Sequence, residues 1–209
     1  MIYWLYEQLL RRQIGDLPAQ VCFMISGQDL ANAPDSLYHV TSWCNEITAY
    51  VSRHQSSPAQ GIQGLMFHIA TPSPEELDPY LPAIRKISKV ARLHLHIGER
   101  QEVSGTGMDV VVAIGKSGRE EITACIRKMA QDGVSPESVD ENLIESYLTF
   151  QYTPDVVIKS GGDHLTDFLI WQSVYSELFF SDVNWKLFRN VDFLRVLRDY
   201  QARMRRFGK

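Results

Sequence analysis

The sequence predicts an α/β fold: a single domain over residues 1–209 with a central six-stranded, mostly parallel sheet flanked by helices. Short apolar runs rich in branched residues alternate with longer segments of helical period, which is the pattern of βαβ units. The runs are apolar at nearly every position, as expected for strands that helices cover on both faces. A chain of 209 residues with 44% hydrophobic content can bury a full core in one domain. The six predicted strands cover residues 21–25, 64–69, 93–97, 110–114, 156–158 and 178–180.

The helices between these strands have recognisable starts. Ser73, Pro74 and Glu76 predict a capping box at the start of a helix over residues 77–88. A second serine-proline start stands at Ser135 and Pro136. The remaining helices are predicted over residues 2–14, 37–54, 118–131, 167–176 and 185–206.

Composition excludes several classes of protein. A net charge of −4 and a pI near 5.9 argue against a protein that coats nucleic acid. Cys22, Cys44 and Cys125 have no metal-site spacing, and we expect them to be buried thiols in a reducing compartment. There is neither an apolar run of about 18 residues nor a signal sequence, so we expect a soluble, cytoplasmic protein.

Four loops are predicted to meet at one edge of the sheet. In an open parallel sheet, ligands bind beyond the carboxyl ends of the strands, here residues 26–29, 70–73, 115–118 and 159–164. Two of these loops combine glycine, lysine and serine, which offer backbone N–H groups and a cation to an anion such as a diphosphate. The loop at 115–118 is not a nucleotide P-loop, because Val110 stands where that motif needs its first glycine.

Three histidines lie within predicted strands. A single histidine such as His68 is more often a packed core residue than an acid or base. His94 and His96 share one face of a strand, but no third ligand with suitable spacing accompanies them. We therefore expect all three to be structural.

The C-terminal part of the chain carries a family resemblance. Residues 154–163 read Pro-Asp-Val-Val-Ile-Lys-Ser-Gly-Gly-Asp, residues 168–172 read Phe-Leu-Ile-Trp-Gln, and Glu177 follows. This order resembles the cis-prenyltransferases, the family of the undecaprenyl and dehydrodolichyl diphosphate synthases. The resemblance, which extends over nearly the whole chain, implies the fold of that family. It also implies magnesium-dependent condensation of isopentenyl diphosphate with an allylic diphosphate.

The N-terminal catalytic motif of that family is not kept. The family reads Met-Asp-Gly-Asn-x-Arg after the first strand, and its aspartate holds magnesium. Here the aspartate is replaced by Ser26 and the arginine by Leu30, and only Gly27 matches. A neutral hydroxyl does not replace a carboxylate as a ligand of a hard cation. Asp29 would have to shift much further than the ~1 Å that already damages catalysis, so we assign no catalytic residue here.

Other positions of the family site are partly retained. Lys159 corresponds to the arginine that grips isopentenyl diphosphate, and Ser160, Thr166 and Gly27 fit the substrate-binding loops. Glu177 matches a glutamate on the magnesium side of the family site, although an ordinary helix-end carboxylate is an equal interpretation. The resemblance thus implies substrate binding at these four positions and a metal position at Glu177.

The C-terminus indicates which branch of the family the chain resembles. Arg206 and Gly208 match an Arg-x-Gly that reaches across a dimer interface into the partner's diphosphate site. In the non-catalytic accessory class, typified by the Nogo-B receptor, the chain ends in Arg-x-Gly-Lys, as residues 206–209 do. The resemblance therefore implies an accessory subunit in a heterodimer or heterotetramer. A catalytic homologue would then supply the aspartate and the magnesium. The complex would make long polyprenyl diphosphates, which are precursors of glycosyl carrier lipids.

Two alternative functions remain for the chain, and two of its surfaces have more than one interpretation. The chain could be an unorthodox active prenyltransferase acting on short prenyl diphosphates, or a homodimeric prenyl diphosphate-binding protein. The first helix, with Tyr3, Trp4, Leu5, Leu9 and Leu10 beside Arg11 and Arg12, lies at a lipid interface or packs on the domain. Candidates for either a dimer face or an intrachain core are Phe168, Leu169, Trp171, Tyr175, Leu178 and Phe179.

Overall fold

The protein is described by a computed structural model that covers residues 2–54, 61–98, 100–115, 117–161, 169 and 171–203. Its strands form one sheet in the order β4-β3-β5-β2-β1-β6-β7. All neighbouring strands are parallel except β3 and β4, which confirms the mostly parallel α/β sheet. The strands are β1 (Gln20–Ser26), β2 (Gly64–Ala70), β3 (Arg92–Ile97), β4 (Arg100–Ser104), β5 (Asp109–Ile114), β6 (Val156–Ser160) and β7 (Glu177–Ser181).

The helices cover both faces of this sheet. The prediction over residues 118–131 is confirmed at both ends, and those over 2–14 and 37–54 to within one residue. None of the described helices has the length and apolar character needed to cross a membrane. The α-helices are α1 (Ile2–Gln13), α2 (Gly27–Asn32), α3 (Ser36–His54), α4 (Leu81–Arg85), α5 (Gly118–Gln131), α6 (Glu141–Tyr147) and α7 (Asn190–Ala202).

The prediction of six strands is wrong by one, because β4 forms an antiparallel edge strand. All five of its residues are exposed, so the sequence there shows no apolar face. Parallel neighbours such as β3 and β5 usually need a crossover of a dozen or more residues, commonly a helix. Here the chain returns through β4 and a short turn in which Gly105 and Gly107 have φ of 82° and 105°. An exposed strand thus takes the place of a crossover helix.

The capping box predicted at Ser73 is also wrong. The Ser73 side chain makes no capping hydrogen bond. The segment is a 3₁₀ turn over Pro74–Tyr80, then the short α4, then a second 3₁₀ turn over Lys86–Lys89. Pro79 and Pro82 lack the N–H groups that a continuous α-helix would need, which explains the interruption.

Two further helix predictions need correction. The predicted helix over 167–176 lies partly outside the described residues, and the described part, 171–175, forms turns. The helix predicted over 185–206 begins as a 3₁₀ turn at Trp185–Leu187, becomes α-helical at Asn190 and ends at Ala202. The start predicted at Ser135 makes only the 3₁₀ turn Pro136–Ser138, and Asp140 caps α6 instead.

An aromatic cluster forms the centre of the core. Phe23, on the central strand β1, lies 5.7 Å from Phe67, 5.8 Å from Trp185 and 6.0 Å from Phe193, measured between ring centroids. All four side chains are fully buried. They lie on the sheet face covered by α1, α3, α4 and α7, which we call the major face. A smaller cluster that includes Met66 covers the opposite, minor face.

Loss of the central ring of this cluster should destabilise the protein strongly. Phe23→Ala is expected to lower the free energy of unfolding by about 3–5 kcal/mol, because it leaves a cavity that the surrounding rings cannot fill. Denaturant titration measures the change. The control Leu187→Ala removes a side chain that is 66% exposed and should stay within about 0.5 kcal/mol of the wild type. Equal effects of the two substitutions would contradict this packing.

The cysteines are confirmed as buried free thiols. Burial raises the pKa of Cys22 to about 12, and burial also raises the pKa of Cys44. Since the thiolate is the reactive form, iodoacetamide near pH 9 should leave both unmodified in the folded protein. Mass spectrometry should show complete labelling once denaturant is added. Rapid labelling of Cys22 in the native protein would show that its strand is more open than described.

Candidate functional site

The predicted convergence of strand-end loops is confirmed for their described parts. Ser26, the last residue of β1, pairs in register with Ala70, the last residue of β2. Gly115, directly after β5, donates its N–H to Ile69 O at 3.0 Å. The loop after β6 leaves the same edge of the sheet beside β1. Residue 116 and residues 162–164 lie outside the described part of the chain.

The loop after β1 is closed by a capping box. Ser26 Oγ accepts a hydrogen bond from Asp29 N at 3.1 Å and donates one to Asp29 Oδ2 at 2.7 Å. Asp29 Oδ2 also accepts from Ser26 N at 3.0 Å. The two side chains therefore satisfy each other and the first turn of α2. Sequence reasoning missed this helix, although serine followed three residues later by an acid is a readable start signal.

Gly27 is held at this position by packing. A Cβ atom there would lie 3.1 Å from Thr71 Cβ, which is tighter than ordinary contact. The loops after β1 and β2 thus touch at Gly27, and a side chain would push them apart. Packing alone accounts for the glycine, and its substrate-binding role stays a prediction.

Lys159 and Ser160 end β6 beside this loop. Lys159 pairs in register with Met24, two residues before Ser26, so Lys159 and Ser26 are on the same face of the sheet. Lys159 Nζ donates to Ser160 O at 3.1 Å and keeps further donors for an anion. Ser160 is fully buried, and its Oγ finds no hydrogen-bond partner among the described residues. The remaining substrate-binding candidate, Thr166, lies outside those residues.

Glu177 lies at the opposite edge of the sheet from Ser26. It is the first residue of β7 and is level with Val21, so the two positions differ by about 16 Å along the strands. Its Oε2 accepts from Arg203 Nη1 at 3.0 Å. The Arg203 guanidinium also lies 3.9 Å from the centroid of the Phe179 ring. Within one chain, Glu177 and the loop after β1 do not share a metal.

The described residues form no cluster of protein metal ligands. They contain no group of three or more histidine, cysteine, aspartate or glutamate side chains placed around a common point. His94 Nε2 lies 2.7 Å from Asp109 Oδ1, and His96 contacts the Phe150 ring edge-on at 5.2 Å. His68 is fully buried in β2. The carboxylate that could approach the strand-end loops, that of Asp29, is part of the capping box.

A cleft of about 500 Å³ lies at the other edge of the sheet, between α6 and the turns over 171–175. Tyr152, in its wall, donates its hydroxyl to Val21 O at the start of β1. Glu141 and Glu145 line the cleft and would repel a diphosphate. We therefore place the candidate anion site at the strand-end loops and not in this cleft.

The residues proposed for a dimer face differ in their exposure in the structure. Leu169 and Phe179 are buried within the chain, whereas Tyr175 is 80% exposed. Trp171 and Leu178 are half-buried. Of these candidates, Tyr175 is thus the one available to a partner, while Phe168 lies outside the described residues, as do Arg206 and Gly208.

Comparison with known proteins decides the family. Residues 83–208 match the family model described as "Putative undecaprenyl diphosphate synthase". An isoprenyl transferase of Thermus thermophilus is 31% identical, with the alignment covering 100% of this chain and 96% of the relative. The chain belongs to the cis-prenyltransferase family. A geranylgeranyl-diphosphate-specific tritrans,polycis-undecaprenyl-diphosphate synthase of Methanocaldococcus jannaschii is also 31% identical over 98% of this chain and 88% of that relative.

Further relatives include shorter-chain synthases. A short-chain Z-isoprenyl diphosphate synthase of Mycobacterium bovis is 29% identical over 100% of this chain and 74% of its own length. Among solved structures, lavandulyl diphosphate synthase from Lavandula x intermedia superposes with a TM-score of 0.67 and 20% identity, covering 92% of this chain and 99% of that one. The structural match confirms the cis-prenyltransferase fold.

The chain is shorter than its full-length relatives. The alignment with the Thermus thermophilus protein spans 263 positions against 209 residues here, which leaves at least 54 positions without a residue of this chain. The short return through β4 and the broken segment over residues 74–89 show how compact the connections around β3 are.

The capping box should contribute measurably to stability. Asp29→Ala is expected to lower the free energy of unfolding by about 1 kcal/mol, because it frees two hydrogen-bond donors at the start of α2. Denaturant titration is the measurement. Gln28→Ala, an exposed change on the same helix, serves as control and should stay within about 0.5 kcal/mol of the wild type. If Asp29→Ala were neutral, the carboxylate would be free for another role.

Proposed function

We propose that the chain is a non-catalytic subunit of a heteromeric cis-prenyltransferase that makes long polyprenyl diphosphates. The observation that supports this most directly is the capping box at the end of β1. Where the family has a magnesium-binding aspartate, this chain has Ser26, and its hydroxyl is bonded to Asp29 Oδ2 at 2.7 Å.

The chemistry of the reaction explains why this matters. Ionisation of an allylic diphosphate leaves a strongly charged diphosphate, which a synthase neutralises with cations held by anionic oxygen. In this chain the nearest carboxylate, that of Asp29, already accepts two hydrogen bonds from Ser26. Both of these bonds fall on Oδ2, so the capping box fixes the Asp29 carboxylate beside Ser26, three residues away from the position of the family aspartate. The loop therefore supports diphosphate binding better than diphosphate ionisation.

The position of Glu177 supports the same proposal. It is paired with Arg203 and lies at the far edge of the sheet from the loop after β1. If Glu177 has the family's role on the magnesium side, the site that it serves must be completed by another chain. In the proposed complex, the partner holds the magnesium with its own aspartate.

The interior of the domain is a further argument. On the major face, Phe67, Leu95, Val112 and Ile84 are fully buried against one another and their neighbours. Close-packed side chains of this kind leave no channel for a growing hydrocarbon chain. Together with the missing alignment positions, this supports a product tunnel located in the partner.

The contribution of this chain would come from its C-terminal residues. Arg203, three residues before Arg206, is held against β7, which is an edge strand of the sheet. Arg203 therefore places the last described residue at an edge of the sheet, where a second subunit could contact the chain. Arg206 and the Gly208 backbone would then complete the partner's isopentenyl diphosphate site.

An active enzyme acting on short prenyl diphosphates is the second candidate. The filled major face suits a short product, and one relative over the full chain is a short-chain Z-isoprenyl diphosphate synthase. This second candidate requires that the chain alone turns over substrate, whereas the non-catalytic subunit has no activity alone.

Incorporation of radiolabelled isopentenyl diphosphate, with farnesyl diphosphate and magnesium, separates the two. We expect no incorporation by the protein alone and full activity when it is co-expressed with a conventional homologue from the same source. In that complex, Arg206→Ala should lower kcat/KM for isopentenyl diphosphate about tenfold or more, because a charge-assisted hydrogen bond is lost.

Two matched variants serve as controls in the complex. Arg205→Ala removes a neighbouring charge, and Ser26→Ala alters the loop after β1 of this chain; both should leave turnover unchanged. Turnover by the protein alone that Ser26→Ala or Asp29→Asn abolishes would establish the short-chain enzyme instead. Failure of any homologue to form a complex, with diphosphate binding retained, would support a homodimeric binding protein.

A further inference from the structure

We propose that the exposed face of α1 docks onto an anionic lipid surface. Trp4 is 62% exposed, Leu5 52% and Leu9 55%, and all three lie on this one helix of 12 residues. The inference concerns the free protein and does not depend on the function proposed above.

Helical geometry places these side chains together. With 3.6 residues per turn, positions 4, 5, 8, 9 and 12 form one continuous face. Gln8 and Arg12 are the polar members of that face, which we call the outer face of α1. The opposite side of the helix is already used, because Leu10 is 1% exposed and packs in the core. The outer apolar residues therefore have no packing role within the described part of the domain.

The charges on and beside the outer face favour an anionic surface. Arg12 is exposed and makes no ion pair with any described residue. The one acidic residue of α1, Glu7, faces α7, where it accepts a hydrogen bond from Asn190 Nδ2 at 3.3 Å. No carboxylate thus lies on the outer face itself.

The flanks of the face also carry arginines. On one side Arg11 is paired with Glu46 of α3 at 3.0 Å. On the other side Arg195 of α7 lies over the Tyr6 ring, with 5.2 Å from its guanidinium carbon to the ring centroid. The Arg11 side chain is only 18% exposed, and Arg195 Nη1 also lies 3.2 Å from Asp192 Oδ1, so both are held on the domain. Arg12 is thus the arginine of the outer face that can reach a lipid phosphate while the apolar residues beside it enter the interface.

The size of the face argues for lipid and against a stable protein partner. Three side chains exposed by about half offer at most about 400 Å², since even a large aromatic side chain buries only about 150–250 Å². A standard protein interface buries about 800 Å² on each partner. The apolar area of the outer face is large enough for weak, reversible binding of an amphipathic helix to a bilayer. Tryptophan is also favoured at the interface between a membrane and water.

Vesicle co-sedimentation of the full chain tests the proposal. One set of vesicles contains phosphatidylcholine alone, and the other contains equimolar phosphatidylcholine and phosphatidylglycerol. We expect binding to the anionic vesicles to exceed binding to the neutral ones. Leu5→Gln/Leu9→Gln should reduce the partition coefficient about tenfold or more, because the apolar contact is lost. Arg12→Gln should reduce it about fivefold, and on anionic vesicles alone.

Helix α5 provides matched controls. Ile126 is 61% exposed and Arg127 is its exposed neighbour. Ile126→Gln and Arg127→Gln make the same chemical changes on another helix and should leave vesicle binding unchanged. Circular dichroism confirms that every variant keeps the native fold.

Three results would overturn the proposal. The first is absence of wild-type binding to anionic vesicles. The second is equal loss in the α1 and α5 variants, which would show non-specific adsorption. The third is a concentration-dependent dimer in lipid-free solution, seen by light scattering, that Leu5→Gln/Leu9→Gln abolishes, because the outer face would then be a protein interface.

Discussion

The reciprocal hydrogen bonds between Ser26 and Asp29 decide what chemistry the end of the central strand can support. β1 lies between β2 and β6, so its carboxyl end is the point where the strand-end loops meet. A carboxylate that stands free at this point can turn towards a cation, whereas that of Asp29 is held beside Ser26 through Oδ2 and cannot move to the position of the family aspartate without uncapping α2. The sheet has the cis-prenyltransferase fold, and the capping box at the end of β1 is the basis of our proposal that this loop holds no metal.

The rest of the molecule is consistent with this limit. The Lys159 ammonium remains beside the loop and can attract a diphosphate without ionising it. Glu177 is neutralised by Arg203 at the opposite edge of the sheet. The aromatic cluster around Phe23 fills the described part of the major face with packed side chains. Each of these features is more easily understood if a second subunit supplies what this chain lacks.

The sequence predicted those parts of the fold in which local and tertiary preferences agree. Strands such as β2 are apolar on both faces and bounded by loop residues, and α5 has the predicted range 118–131. In the structure α5 begins with a capping box between Ser117 and Glu120. β4 could not be predicted in this way, because its pairing with β3 comes from its place beside the sheet and not from its exposed side chains. The prolines at 79 and 82 interrupt the helix that the serine-proline-glutamate start at residues 73–76 predicts.

The candidate site was predictable in outline and not in detail. Parallel-sheet topology alone placed the loops together, and the replacement of the family aspartate by Ser26 was readable directly. The contact between Glu177 and Arg203 could not be predicted from the sequence, since it joins residues that are distant in sequence and depends on how α7 packs. The spacing of Ser26 and Asp29 is that of a capping box, which suffices to predict that Asp29 caps α2.

The central claim is that the loop after β1 binds no magnesium, and the most direct measurement is calorimetric titration of a non-reactive farnesyl thiodiphosphate into the protein alone. The titration is made once with magnesium and once with a chelator present. The account predicts the same dissociation constant in both conditions, for the wild type and for Ser26→Ala. A much tighter dissociation constant with magnesium, abolished by Asp29→Asn in a variant that still folds, would contradict it.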